Sequence, residues 1–375
     1  QRKMCIRDSL QTIQGGATAK PFITHFNALD QECYLRIATE LHLKRCIVGG
    51  FERVFEIGRI FRNEGMDLTH NPEFTTMEAY RAFSDLEGMK ALAQGVIKAA
   101  NKAIGNPEVI EYQGQTIDLS GEWASRPMTD IVSDVLGKQV TIDTPVEELA
   151  AAAREKGLEI KPEWTAGKII AEIYDELGED TIVNPTFVCD YPREMSPLCK
   201  RHRSNPDLTE RFELFVNGKE LCNAYSELND PIDQLERFQE QLRLSEKGDD
   251  EAMFIDMDFV RALEFGMPTC SGMGIGIDRL TMFMTGQPSI QDVLFFPQMR
   301  PEKKAVADPA EAYTAIGVPE EWVPVIQKMG YVTVESLRKL APGKFFNDLC
   351  GFNKKNKLGL KAPSMEEVKG WCAGE

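Results

Sequence analysis

The stretch FERVFEIGRIFRNEGMDLTHNPEFTTMEAY, residues 51–80, decides the fold. Over residues 51–61, apolar side chains alternate with Glu56 and Arg59, which is typical of a half-buried strand. A glycine-marked polar loop occupies residues 62–72, and a second strand-like run follows it. The stretch therefore predicts two paired strands with a charged loop between them.

The loop and the returning strand carry side chains that suit a flat, anionic ligand. Arg62 offers an anion-binding guanidinium and Glu64 an acceptor, while His70 and Asn71 offer planar donors. Phe74 can stack its ring on a flat heterocycle. For any one of these residues a polar hairpin with a solvated tip is the plainer interpretation, but the combination favours a ligand clamp.

Three short segments of this stretch match a family pattern. FRNEG at residues 61–65, HNPEF at 70–74 and MEAY at 77–80 resemble motif 2 of the class II aminoacyl-tRNA synthetases in its lysyl-tRNA synthetase form. The resemblance implies that Arg62 grips the α-phosphate of ATP and that Phe74 packs on adenine. The aspartyl and asparaginyl relatives share the arginine and the glutamate but lack HNPEFTxMExY, so the match is specific.

Length and resemblance together predict the architecture. With 375 residues, 42% of them hydrophobic, the chain has room for one large domain and an appendage. The resemblance implies an α+β fold, in which a six- to seven-stranded antiparallel sheet is flanked by helices, in a homodimer. The predicted divisions are a truncated or non-native lead at residues 1–9, the synthetase catalytic domain at 10–302 with a small helical insertion at about 128–180, a linker at 303–310, and a small helical C-terminal domain at 311–375. Lysyl-tRNA synthetases read the anticodon with an N-terminal oligonucleotide-binding barrel, and we expect that domain to be missing here.

Charge and cysteine content restrict the partners and the compartment. The net charge of −16 argues against a general binder of nucleic acid or of membrane surfaces, although a local basic face could contact RNA. The nine cysteines include no C-x-x-C pair, which is consistent with a reduced protein. No apolar run reaches the roughly 18 residues that a bilayer-spanning helix needs, and no signal peptide is recognisable. We expect a cytoplasmic protein that binds neither membranes nor DNA.

A helix predicted over residues 35–45 follows a Gly15-Gly16 turn. Gly16 permits close approach of the backbone to a ligand. By resemblance, Glu40 in RIATE binds the α-amino group of the substrate lysine, and Glu78 and Tyr80 belong to the same pocket. The alternative for Glu40 is an acid on a helix surface.

The segment CNAYSELND, residues 222–230, resembles the family's amino-acid-reading stretch. The resemblance implies that Asn223 holds the substrate carboxylate, that Tyr225 walls the alkyl chain and that Glu227 pairs with the ε-ammonium. A buried carboxylate is costly unless it meets a cation, which favours a lysine-reading pocket. The departure from the family is Ala224 in place of a glycine.

Two acids flank a predicted hairpin turn at residues 217–218, where Asn-Gly is a strong turn signal. They are Glu213 and Glu220. Mg²⁺ prefers a few carboxylates together with phosphate oxygens, so these acids are the predicted ligands of Mg²⁺ bound with ATP. The alternative is an acidic pair on a wet surface.

The segment CSGMGIGIDRLTMFMTGQPSIQDVLFFP, residues 270–297, resembles motif 3 of the family. It predicts a glycine-rich strand followed by a helix. The resemblance implies that Arg279 stacks on adenine opposite Phe74 and reaches the γ-phosphate. Gly272, Gly274 and Gly276 would let the backbone approach the nucleotide.

The C-terminal appendage contains a dense basic cluster, Lys354, Lys355 and Lys357. A charge run is usually a solvated face, and RNA contact is the alternative.

The function implied is lysine--tRNA ligase, with ATP, L-lysine and tRNA(Lys) as substrates. Two alternatives remain: a paralogue that transfers lysine to an elongation factor, and an idle interaction module. The intact motif residues argue against the idle module. The matches LQTIxGGA and SGMGIGIDR favour the synthetase.

Overall fold

The structure is a computed structural model that describes residues 8–246, 254–299 and 307–373. Most of the predicted lead, residues 1–7, and linker residues 303–306 lie outside this part of the chain. The chain forms two compact units, Gln1–Gln298 and Met299–Glu375.

The first unit combines twelve described strands with eight described α-helices. The strands are β1 Leu10–Gln11, β2 Ile23–Phe26, β3 Gln31–Leu35, β4 Arg53–Phe61, β5 Glu73–Ala82, β6 Val109–Tyr112, β7 Gln115–Asp118, β8 Ala124–Pro127, β9 Thr186–Cys189, β10 Arg211–Val216, β11 Lys219–Ser226 and β12 Cys270–Gly276. The helices are α1 Glu40–Val48, α2 Leu86–Ala103, α3 Met128–Leu136, α4 Val146–Glu155, α5 Ala166–Ile173, α6 Pro231–Glu246, α7 Met257–Glu264 and α8 Ile277–Thr285. Single turns of π or 3-10 helix cover Tyr174–Gly178, Glu179–Thr181, Arg193–Met195 and Ile290–Asp292.

Seven strands form the central sheet, in the order β4-β5-β12-β11-β10-β9-β8. Neighbouring strands are antiparallel except β8 and β9, which are parallel. The predicted antiparallel sheet is confirmed for six strands, and the parallel β8 corrects it. A parallel pair needs a long crossover, and the helices α3 to α5 supply one between these two strands.

The opening stretch of the sequence forms the predicted pair of strands. β4 and β5 pair from Phe61 opposite Glu73 to Arg53 opposite Arg81, so the loop over residues 62–72 projects from one end of the pair. The predicted turn between β10 and β11 is also present. Its two residues, Asn217 and Gly218, have φ of 50° and 67°, as a type I′ hairpin turn requires.

Alternation along the strands separates core side chains from site side chains. On β10, Phe212 and Leu214 join the apolar core to which α2 contributes, so Arg211 and Glu213 face the other side of the sheet. The neighbouring strands follow the same rule. Their residues opposite the core are Asn223, Tyr225, Gly272, Gly274 and Gly276.

The helix predicted over residues 35–45 is displaced. Leu35 is the last residue of β3, and α1 runs from Glu40 to Val48 with Thr39 as its N-cap residue. The predicted helical insertion forms α3, α4 and α5. Its apolar core includes Val188 and Phe215 of the central sheet.

The second unit contains five described α-helices: α9 Ala310–Ala315, α10 Val323–Lys328, α11 Val334–Arg338, α12 Pro342–Asn356 and α13 Met365–Cys372. Trp322, in a 3-10 turn at Glu320–Trp322, and Trp371 are buried in its apolar core. Lys354 and Lys355, in the last turn of α12, and Lys357 just after it are exposed. Across the described residues, no helix has both the length and the apolarity needed to cross a bilayer.

Candidate functional site

A cleft of about 490 Å³ lies over the face of the central sheet that is opposite the α2 core. It brings together every predicted site residue except Glu227: Gly16, Glu40, Arg62, Glu64, His70, Asn71, Phe74, Glu78, Tyr80, Glu213, Glu220, Asn223, Tyr225, Gly272, Gly274, Gly276 and Arg279. These residues come from positions as far apart as 16 and 279. The fold therefore assembles the predicted residues into one site.

Arg279 is held at one end of the cleft by Glu220 of β11 and by the loop between β4 and β5. Its Nη1 donates to Glu220 Oε2 at 3.3 Å, and its Nη2 donates to His70 Nε2 at 2.8 Å. His70 Nδ1 in turn lies 2.8 Å from Asp67 Oδ2. Although partial burial opposes the shift, hydrogen bonds from Thr69 and His70 lower the pKa of Asp67 to about 2.

Two residues that were predicted to donate to the ligand make contacts within the protein. His70 accepts through Nε2 here, whereas the sequence predicted a donor to the ligand. Asn71, also predicted to donate to the ligand, is buried and donates through Nδ2 to the Glu73 carbonyl at 2.6 Å. Both residues therefore shape the loop.

Arg62 is a cation with no acidic partner among the described residues. Its guanidinium carbon lies 5.4 Å from the centre of the Phe74 ring, and its Nε is buried without a hydrogen-bond partner in the described part of the chain. Its backbone N–H donates to the Pro72 carbonyl at 2.9 Å, which fixes the start of the loop. Arg62 and the ring of Phe74 thus lie together at the wall of the cleft, where the guanidinium is available to an anion.

Glu213 is held by Arg211, which the sequence analysis missed. Arg211 Nη2 donates to Glu213 Oε1, and the Tyr191 hydroxyl donates to Glu213 Oε2 at 2.9 Å. Arg211 Nε also donates to Asn223 Oδ1 at 3.2 Å, which leaves the Asn223 amide N–H groups for a ligand. Burial raises the pKa of Glu213, Arg211 opposes this shift, and the charge of Glu220 adds to it. A signal existed in the sequence, because Arg211 is two residues before Glu213 on the same strand face.

The predicted metal ligands form a limited donor set. In the described ranges, no group of three or more histidine, cysteine, aspartate or glutamate side chains is arranged to hold a metal ion. Glu213 and Glu220 are close enough for their charges to interact. Burial raises the pKa of Glu179 to about 8, and the charges of Asp175, Glu213 and Glu220 add to this shift. The pair fits a cation that takes its remaining ligands from phosphate and water, as Mg²⁺ often does.

The other end of the cleft is acidic. Glu78 accepts from the Thr39 backbone N–H and from the Tyr80 hydroxyl, each at 3.0 Å. Glu40 Oε2 accepts from the Tyr225 hydroxyl at 2.5 Å. Burial raises the pKa of Glu78, and the Thr39 N–H opposes this shift. A cationic group entering here would favour the ionised carboxylates.

Glu227, predicted to pair directly with the substrate ammonium, lies behind the cleft wall. Its side chain is fully buried, and the Lys44 ammonium lies 2.5 Å from its Oε2. Glu227 Oε1 has no hydrogen-bond partner in the described part of the chain and lies against Gly272. The sequence analysis also missed Lys44, which is four residues after Glu40 and therefore on the same face of α1.

The glycines of the cleft serve different purposes. A Cβ at Gly272 would lie 2.2 Å from Glu227 Oε1, so this glycine makes room for side chains rather than for the predicted nucleotide. A Cβ at Gly274 or Gly276 would meet its nearest atom at 3.9 or 3.8 Å, so these two leave open space in the cleft. Gly16 has φ of 91°, a conformation that favours glycine. Ala224, the departure from the family pattern, is buried in the apolar core and faces away from the cleft.

Known proteins match this chain over most of its length. The family model described as "tRNA synthetases class II (D, K and N)" matches residues 9–300. A lysine--tRNA ligase of Porphyromonas gingivalis is 54% identical over 362 residues, which cover 96% of this chain and 62% of that relative. A lysine--tRNA ligase of Christiangramia forsetii is 55% identical over 297 residues, which cover 79% of this chain and 52% of that relative. One of Lactococcus lactis subsp. cremoris is 52% identical over 287 residues, which cover 76% of this chain and 58% of that relative. The chain thus spans 62% or less of the length of these relatives.

Proposed function

The chain belongs to the class II tRNA synthetases of the D, K and N group, and we propose that it joins L-lysine to tRNA(Lys) at the expense of ATP, as a lysine--tRNA ligase. The observation that carries the proposal is a cleft with arginines at one end and buried carboxylates at the other. Lysine and ATP together present phosphates, a carboxylate and two ammonium groups. The similarity to proteins named lysine--tRNA ligase supports the choice of amino acid.

The arginine end would hold ATP. Phe74 would stack on adenine with Arg279 on its other face, Arg62 would contact the α-phosphate, and Glu64, His70 and Asn71 would shape the loop around the nucleotide. The lysine carboxylate then attacks the α-phosphorus and displaces pyrophosphate, forming lysyl-adenylate. Because the nucleophile is already ionised, no general base is needed. Catalysis would therefore rest on positioning and on neutralising charge, and Arg62 would contact both the carboxylate and the phosphate.

Glu213 and Glu220 would hold Mg²⁺ together with the phosphates. When bound, the ion would neutralise the charge that develops on the leaving pyrophosphate. Arg211 and Tyr191 orient Glu213, and Arg279 contacts Glu220 Oε2.

The acidic end would hold the amino acid. Glu40, with Gly16, would bind the α-ammonium, and the free amide of Asn223 would bind the carboxylate. Tyr225 would line the alkyl chain. Glu78, oriented by Tyr80, lines the cleft and is our candidate for direct contact with the ε-ammonium. Glu227 would add its charge from behind the wall.

A homodimer is part of the proposal. Two strands of the first unit each expose two large apolar side chains, Ile23 and Phe26 on β2 and Phe55 and Ile57 on the edge strand β4. An exposed apolar edge strand favours a protein contact. Charging of transfer RNA would place the protein in the cytoplasm.

Lysine-dependent exchange of pyrophosphate into ATP tests the activation step, with arginine and ornithine as competing substrates. Aminoacylation of tRNA(Lys) tests the transfer step and separates the synthetase from a lysyltransferase that modifies a protein. Exchange that is absent, or equally fast with arginine, would refute the proposal. Exchange without charging, together with transfer of lysine to an elongation factor, would favour the paralogue.

A further inference from the structure

Lys44 joins two acids at the closed end of the cleft. Its Nζ lies 2.5 Å from Glu40 Oε1 and 2.5 Å from Glu227 Oε2, and its side chain is completely buried. The ammonium also lies 5.5 Å from the centre of the Tyr225 ring and 5.9 Å from that of Phe259. A buried lysine is rare and needs a reason, because taking an ammonium out of water is costly.

The charges of this region do not balance without a ligand. Three carboxylates, Glu40, Glu78 and Glu227, are buried around one ammonium, so the region has two excess negative charges when all three are ionised. Burial raises the pKa of Glu78 and of Glu227, and Lys44 opposes the shift at Glu227, so a cation that enters the pocket favours the state in which all three are ionised. Tyr80, Tyr225, Cys199 and Cys270 also interact with these residues. Two further cations act on this outer group, Arg211 on Cys199 and Tyr225 and Lys200 on Cys270. Burial raises the pKa of each of these hydroxyl and thiol groups, so they are neutral near pH 7.

We propose that Lys44 is a positioning residue that sets the charge of the pocket to match an amino acid with two ammonium groups. It cancels one of the three carboxylate charges and holds Glu40 and Glu227 in fixed orientations. The two charges left uncompensated correspond to the α- and ε-ammonium groups of the substrate. The inference rests on the proposed function, since it explains how that pocket selects a diamino acid.

The test is a cycle of four proteins whose lysine affinity is measured by isothermal titration calorimetry at pH 7. Lys44→Met raises the excess negative charge of the pocket from two to three. Burial would then force one carboxyl to take up a proton, which lysine must displace when it binds. Glu227→Gln leaves one negative charge too few. Each single change should weaken lysine binding at least about tenfold, because it leaves a buried charge unbalanced. The double variant restores the excess of two and should bind lysine within about threefold of the parental chain, a sign of coupling between the two sites.

Arg45→Met is the matched control. Arg45 is the next residue of α1, pairs with Asp256 at 2.6 Å and also lies over the Phe259 ring, at 5.8 Å, but it contacts none of the three pocket acids. This variant should keep the parental lysine affinity. The affinity of Lys44→Met should also rise with pH between 6.5 and 8.5, by up to about tenfold per unit, while the control follows the parental profile.

A double variant that binds lysine no better than Glu227→Gln would overturn the inference. This comparison holds even if Lys44→Met alone does not fold. A loss in Lys44→Met that is the same at every pH would also overturn it, because that is the result of a merely structural role. Parental protein that does not bind lysine would overturn the proposed function, and this inference with it.

Discussion

Replacing Gly272 with alanine tests the construction of the acidic end directly. Gly272 lies on β12 opposite Tyr80 of β5, and a Cβ there would lie 2.2 Å from Glu227 Oε1 and 2.3 Å from Tyr80 Cε1. Both distances are far below a normal van der Waals contact. Neither neighbour can withdraw easily, because the Tyr80 ring is packed in the apolar core and Glu227 is held by Lys44. Overpacking of this kind costs about 1–3 kcal/mol of stability.

The same substitution should also weaken lysine binding. Displacing the Tyr80 ring breaks its hydrogen bond to Glu78, and a hydrogen bond to a charged group contributes about 1.5–3 kcal/mol. We therefore expect the KM for lysine in pyrophosphate exchange to rise roughly tenfold to a hundredfold. The KM for ATP should stay nearly unchanged, because the arginine end does not contact Gly272. Urea denaturation and exchange kinetics on the same preparation measure both effects.

Gly274→Ala is the matched control for this prediction. Its Cβ would be 3.9 Å from Glu78 Cγ, an ordinary contact, so the free energy of unfolding should change by less than about 0.5 kcal/mol. Its methyl group would occupy cleft space, so exchange should still slow. If Gly272→Ala retained both parental stability and the parental KM for lysine, the packing of Tyr80 and Glu227 against β12 would be wrong.

Three further predictions concern other parts of the molecule. Arg62→Lys keeps the charge but loses the planar fork, so adenylate formation should slow by at least about a hundredfold with no loss of stability; exchange near the parental rate would disprove the role of Arg62. Because burial raises the pKa of carboxyls such as Glu78, the folded state binds extra protons between the ordinary pKa of 4.5 and the raised value. The stability of the ligand-free protein should therefore fall as pH rises through this range. The rise in Tm caused by saturating lysine should be larger at pH 8 than at pH 6. Lys354, Lys355 and Lys357 can be replaced by alanine together. If these lysines contact phosphates, the slope of the logarithm of the tRNA binding constant against the logarithm of salt concentration should become shallower by about 2–3. An unchanged slope would show a solvated face.

Most residues that were selected from the sequence line the cleft, because they carry local signals. The strand period places Glu78 and Tyr80 on one face, and the Asn-Gly turn fixes the β10–β11 hairpin. Motif resemblance then supplied the roles that periodicity cannot. The sequence could not show that His70 accepts a hydrogen bond from Arg279. The ring nitrogen that carries the proton is assigned from two contacts in the fold, Nδ1 with Asp67 and Nε2 with Arg279.

The sequence does not reveal contacts between residues that are far apart in the chain, or how deeply a side chain is buried. Lys44 resembles any lysine on a helix, and its partner Glu227 is far along the chain. The same sequence signal marks Glu227 as part of the pocket, but it cannot tell whether the carboxylate lines the cleft or lies behind Gly272. The parallel pairing of β8 also escaped prediction, because pairing direction depends on the path of the α3–α5 crossover.

The order of side chains along β5 determines the order of the ligand parts in the cleft. Phe74, Thr76, Glu78 and Tyr80 alternate onto one face, and Phe74 and Glu78 are separated by about 13 Å at roughly 3.3 Å per residue. The ring that we propose to bind adenine and the carboxylate that we propose to bind an ammonium group are thereby set at a fixed distance on one strand. A slip of one residue would turn all four side chains to the other face of the sheet, toward the apolar core that contains α2. β5 is paired on both sides, with β4 and β12, so its register is held from two directions. The specificity that we propose for this cleft therefore depends on sheet register as much as on the charges of the residues themselves.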